Sequence, residues 1–189
     1  MFETILPPMM PLDNTPDNPQ DKDQQAILLR LAQDPDAFIR KTVLMNPAVP
    51  IAAYALFAKD PEVSLREENA IILAKKMISY SDTQEQVPEW LMSVLMTCAR
   101  DVVDSVRVGM AVTLRLCGAL PRGLRMVLAK DPNPEVSGPI LRSCPAITEV
   151  DCEEIMMEST VTETTLQALS ERGDLSPAAF SLIRSPWPF

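Results

Sequence analysis

Histidine is absent from this 189-residue chain, glycine occurs five times, and aromatic residues make up 5% of it. Without histidine there is no Ser-His-Asp triad, no Cys-His pair and no imidazole metal ligand or base. The glycines, at 109, 118, 123, 138 and 173, fall in neither common phosphate-cradling spacing. The four cysteines (Cys98, Cys117, Cys144, Cys152) include no CxxC pair and no ligand-like cluster, so they read as small apolar core residues in a reducing compartment. No metal or other cofactor is expected, and no catalysis. No run of 18 apolar residues occurs, which excludes a membrane-spanning helix. The apolar N-terminal stretch has no Lys or Arg before it and is broken by Pro7, Pro8 and Pro11, so no secretory signal is read and a cytoplasmic protein is expected.

What is present is proline, 18 residues, and acid, giving a formal net charge of −9. That balance opposes a nucleic-acid groove, which needs a concentrated basic surface. The charge is nevertheless uneven. Residues 91–143 hold seven bases against four acids, and residues 145–175 hold eight acids against one base, Arg172. A basic middle beside an acidic end could orient a partner electrostatically, although solvated faces of drifting sign explain it as well.

One motif recurs without gaps. Leu31-Ala32-Gln33-Asp34-Pro35 is followed by Ile39-Arg40, and Phe57-Ala58-Lys59-Asp60-Pro61 by Leu65-Arg66. Cys98-Ala99-Arg100-Asp101-Val102 is followed by Val106-Arg107, and Leu128-Ala129-Lys130-Asp131-Pro132 by Val136-Ser137. A second signature falls between these: Val49-Pro50, Val87-Pro88, Leu120-Pro121, Ile147-Thr148 and Leu175-Ser176-Pro177. Eight residues beyond each aliphatic stands another large apolar residue, at Phe57, Leu95, Leu128, Ile155 and Ile183.

The chemistry of an Asp-Pro step predicts a corner between helices. Asp34, Asp60, Asp101 and Asp131 are expected to act as N-caps, their carboxylates accepting from free N–H groups of the following helix, with proline at the first helical position. The same proline disfavours helical geometry in the residue before it, so the preceding helix stops there. The Val-Pro or Ile-Thr step turns the other corner. The spacing predicts helices over 22–33, 36–45, 49–58, 62–79, 87–99, 102–118, 121–130, 134–143, 148–158, 161–172 and 176–184, and no strands. The longest internal loop is expected at Ser79–Val87.

The Asp-Pro…Val-Arg pattern resembles HEAT-like and leucine-rich-repeat-variant proteins over roughly residues 24–184. The stretch LAKDPNPEVSGPILRSCPAITEVDCEEI (Leu128–Ile155) is also similar to an uncharacterised proteobacterial family of HEAT-like proteins. The resemblance implies a right-handed α-solenoid of about five helical hairpins, used to bind another protein. Some leucine-rich-repeat-variant proteins carry a cysteine-bound iron–sulphur cluster; with no cysteine before position 98, none is carried over. The organisation expected is a flexible Pro-rich arm and linker at 1–23, a repeat domain at 24–185 and an aromatic tail at 186–189.

Function is then sought on surfaces. The recurrent Asp residues and Arg40, Arg66 and Arg107 suit capping and bridging of neighbouring hairpins better than a ligand-binding row. Glu67-Glu68 and the group Glu149, Asp151, Glu153 and Glu154 read as solvated faces, because sequence neighbours on a helix do not converge on one substrate. Candidate partner-binding residues are Arg100, Arg107, Arg115, Arg122 and Arg125, facing an acidic segment, together with Phe2, Ile5 and Leu6 of the arm and Trp187 and Phe189 of the tail. The expected function is a scaffold or adaptor. A structural subunit of a larger assembly, or a chaperone of the chromophore-lyase type, is compatible with the same composition.

Overall fold

The computed structural model describes residues 19–157 and 161–177. Among the described residues the chain is all-helical: ten α-helices and no strand. It divides into two compact units, residues 1–50 and 51–189. The expected helix over 176–184 lies outside the described residues beyond Pro177.

In the first unit, α1 (Pro19–Leu31) packs on α2 (Ala37–Leu44). Leu28, Ala32, Val43 and Leu44 are buried, and the Gln25 side-chain amide donates to the Ala48 carbonyl at 3.2 Å. Phe38, on α2, stays exposed.

The second unit contains α3 (Ile51–Phe57), α4 (Val63–Thr83), α5 (Glu89–Cys98), α6 (Asp104–Leu114), α7 (Arg122–Ala129), α8 (Pro134–Ser143), α9 (Glu149–Met156) and α10 (Glu163–Ser170). Sequence neighbours pack as pairs (α3 on α4, α5 on α6, α7 on α8), while α6 lies against both α4 and α8, and α8 against α10. Of the aliphatics of the second signature, Leu120 and Ile147 are buried, as are their partners eight residues on, Leu128 and Ile155, whereas Val87 and Leu175 are half-buried. Leu65, Leu73, Met77, Leu91, Leu95, Met110, Leu114, Leu124 and Ile140 complete a continuous apolar interior. At ~25 cal/mol per Å² of apolar surface, each such side chain contributes on the order of 2 kcal/mol when buried.

Each corner starts later than expected. The N-cap residues are Asp36, Glu62, Val103 and Asn133, each two positions after the recurrent aspartate. Asp34, Asp60, Asp101 and Asp131 therefore precede the cap. Each accepts through Oδ1 from the backbone N–H two residues on, at 2.8–2.9 Å. The physical reason lies in the aspartate: its short side chain reaches the backbone N–H two residues on and closes an Asx turn, whichever residue lies between. Val102 occupies the proline position in the third corner, is 91% exposed, and leaves the turn unchanged. At the opposite corners Pro88 and Pro121 are themselves the N-cap residues, not the first helical ones.

The loop expected at Ser79–Val87 is shorter than proposed, because α4 continues to Thr83. The hydroxyls of Ser79 and Thr83 donate to carbonyls four residues back, which keeps these polar residues compatible with a helix. Gln84 then ends the helix in left-handed geometry (φ 57°), and its N–H and that of Glu85 return to the last turn.

Candidate functional site

The recurrent arginines bind from one helical pair to the next. Arg66, on the first turn of α4, donates from Nε to Asp101 Oδ2 (2.7 Å) and from Nη2 to Asp101 Oδ1 (3.3 Å), while Nη1 donates to the Asp60 carbonyl (2.8 Å). Arg107, on α6, repeats the arrangement one pair later, to both oxygens of Asp131 (2.7 and 3.2 Å) and to the Asp101 carbonyl (2.6 Å). Arg107 Nη2 also reaches Asp104 Oδ1 at 2.7 Å. Each aspartate thus holds its own corner with one contact and takes a planar guanidinium from a neighbour with the other. The Asp131 carboxylate raises the pKa of Arg107; burial opposes that rise, and the Asp104 carboxylate adds to it.

The row changes at the fourth corner, where the motif carries Ser137 instead of Arg. Its hydroxyl donates only locally, to the Asn133 carbonyl at 3.3 Å. The next connection is made between the other helices. Arg125 of α7 donates from Nε and Nη2 to Asp151 Oδ2 (2.9 and 2.8 Å), and Arg122 Nε reaches Asp151 Oδ1 at 3.1 Å. Asp151 closes a capping box with Thr148, whose N–H and hydroxyl donate to Oδ2 at 3.0 and 2.9 Å. Burial alone would raise the Asp151 carboxyl; the Thr148 N–H, Arg125 and the Thr148 hydroxyl outweigh it and bring the pKa below the usual carboxylate range. Glu154 accepts from Lys130 at 2.7 Å and from Arg122, and these two partners lower its pKa.

Asp151 corrects the expectation of a solvated acidic face: its side chain is 0% exposed. A signal for it was in the sequence, since Thr148-x-x-Asp151 has capping-box spacing. The basic candidates separate too. Arg107 and Arg125 are largely buried in ion pairs, and Arg122 is half-exposed but bound to Asp151 and Glu154. Arg100 and Arg115 are exposed, Arg115 donating to the Val112 carbonyl of its own helix. The structure therefore does not gather the five arginines into one basic surface. Phe2, Ile5, Leu6, Trp187 and Phe189 lie outside the described residues.

The cysteines are all buried and unpaired in disulfides. Burial pushes the Cys98 thiol up to about 12 and the Cys152 thiol up to about 11, so neither offers a thiolate at neutral pH. A separate polar group sits under α3. Tyr54 stacks on Trp90 (centroids 5.8 Å apart), Lys76 Nζ lies 5.5 Å from the Tyr54 ring centre, and buried Asn69 donates to the Tyr54 carbonyl. Desolvation raises the Tyr54 pKa to about 12 and lowers that of Lys76.

Open clefts among the described residues of the second unit include two with distinct linings. One, of about 330 Å³, lies beside Ser137 and is lined by Lys130, Pro132, Ile155, Val161 and Thr165 among others. The other, of about 510 Å³, runs across α4, α6 and α8 and is lined by Glu67, Ile71, Asp104, Ser105, Val108, Gly109, Asn133 and Glu135. Among the described residues no group of three His, Cys, Asp or Glu side chains is placed to hold a metal, and no helix is long and apolar enough to cross a membrane.

No protein-family model, curated protein or solved structure matches the chain.

Proposed function

We propose that this chain is a non-catalytic, cytoplasmic protein-binding scaffold, its helical pairs stacked as a right-handed HEAT-like solenoid. One observation carries the reading: the charged side chains that recur along the sequence are committed to joining one helical pair to the next. Arg66 holds Asp101, Arg107 holds Asp131, and Arg125 holds Asp151. Side chains engaged in this way stiffen a stack of helices, and a stack needs its neighbours for stability. What such a stack leaves for function is its outer surface, where open clefts suit segments of another protein. Arg100 and Arg115 are the arginines still available to an acidic partner, with the N-terminal arm (Phe2, Ile5, Leu6) and the tail (Trp187, Phe189) as further contact segments.

The test is affinity purification of the tagged full chain under mild cross-linking, repeated without residues 1–20. A protein recovered in near-stoichiometric amount, and competed by untagged chain, is the expected result. A chain that stays alone in cross-linking and sedimentation, at concentrations where the clefts are open, would remove the scaffold reading.

A further inference from the structure

The cleft over α4, α6 and α8 differs in sign from the surface that the sequence points to. Its floor is apolar, made by Ile71 and Val108 beside Gly109, where a Cβ would come into contact with Ile71 at 3.4 Å. Its rim is acidic: Glu67 on α4, Asp104 on α6 and Glu135 on α8. None of the side chains lining it is basic. Asp104 is already engaged, accepting from Arg107, which also holds Asp131, and from Asn133 Nδ2 at 2.9 Å, so Glu67 and Glu135 carry the acidic charge of the rim.

We propose that this cleft docks a basic amphipathic segment of a partner protein. One aliphatic side chain of that segment rests on Ile71 and Val108 in the space beside Gly109. Lys or Arg side chains on either side meet Glu67 and Glu135. The volume of about 510 Å³ lies within the span of clefts that take ligand groups of this size. Opposite charges at the rim supply orientation and rate, while the floor supplies the anchor. The inference rests on the scaffold reading and names the chemistry of its partner: basic at this face, in contrast to the acidic segment that exposed arginines would favour.

The experiment measures fluorescence anisotropy of labelled KKLLKKLLKK binding to the full chain at moderate salt, with deca-lysine and EELLEELLEE as companions. Binding of the Lys/Leu peptide is expected to exceed that of deca-lysine at least fivefold, with none for the acidic peptide. Glu67→Lys/Glu135→Lys should weaken it tenfold or more. Gly109→Leu, which fills the floor and leaves the charge alone, should also weaken it, and circular dichroism reports whether each variant folds. Glu153→Lys/Glu163→Lys reverses two exposed carboxylates elsewhere and should change affinity less than twofold. Amide shifts on binding should centre on Ile71, Val108 and Gly109. Equal losses in the two charge-reversed variants, or deca-lysine binding as well as the amphipathic peptide, would overturn the proposal by reducing it to net charge. A cross-linked partner retained undiminished by the Glu67/Glu135 variant would sink the groove and leave the scaffold standing; a chain with no protein partner would sink both.

Discussion

Two regions of the second unit solve one problem differently. From α4 to α8, a single arginine on the first turn of each second helix (Arg66, Arg107) grips the corner aspartate of the next pair, Asp101 and then Asp131. From α7 to α9, two arginines converge on one carboxylate, Asp151, which is also the N3 residue of a capping box. The change falls where Ser137 replaces the arginine of the motif. A buried carboxylate must be paired wherever it sits, and a helical pair must be tied to its neighbour somewhere. When the tie is lost at one corner, the other helices of the pair carry it. The two regions therefore ought to differ in how much depends on a single residue.

The largest break is expected at Asp151. Asp151→Ala strands Arg125 and the Thr148 N–H inside the protein and should cost about 3–5 kcal/mol in denaturant unfolding. A loss no greater than that of an exposed helix cap would show that Arg122 and Arg125 re-solvate freely, and the contrast between the regions would disappear. Arg66→Lys keeps the charge but loses the fork that matches both oxygens of Asp101, and should cost about 1.5–3 kcal/mol. A lysine that restores full stability would make the row a matter of charge alone.

The third expectation concerns acid. The folded-state pKa of the Asp151 carboxyl lies below its ordinary value, so its stabilisation is complete above the unfolded pKa of about 4 and is lost as pH falls through the folded one. Between those values the native protein should lose stability as protons bind, and Asp151→Asn should flatten that limb of the stability–pH curve. A limb of unchanged slope in the variant would assign the acid sensitivity elsewhere. The smallest effect belongs to Glu154, whose contacts with Arg122 and Lys130 lie at the surface. Glu154→Gln should leave the thermal midpoint within error, because exposed pairs are screened and cost side-chain entropy to hold.

Much of the helix content was legible in the sequence because the turn chemistry is local. A proline disfavours helical geometry in the residue before it, and Val49, Leu120 and Ile147 mark where a new helix begins. The extra residue at the Asp corners was not legible. Choosing between a cap and a pre-cap turn depends on which N–H the carboxylate meets, and Asp101 makes the same choice with Val102 in the proline position. The length of α4 was obscured because Ser79 and Thr83 look like loop residues until their hydroxyls return to the helix. Pairing was hardest. Arg107, Arg122 and Arg125 read as a basic patch because their partners lie 24 to 32 residues away, and a charge count cannot see cancellation across helices. The groove was missed for the same reason: Glu67, Gly109 and Glu135 share a surface only after three helices have packed.

A double-mutant cycle on Arg66 and Asp101, followed by urea unfolding of the wild type, Arg66→Met, Asp101→Asn and the pair, tests most directly whether these side chains hold the helices together. A coupling of roughly 1.5 kcal/mol or more is predicted, with both single variants destabilised and the double little worse than either. Effects that add to within about 0.5 kcal/mol would mean the two residues act independently, and would contradict the account.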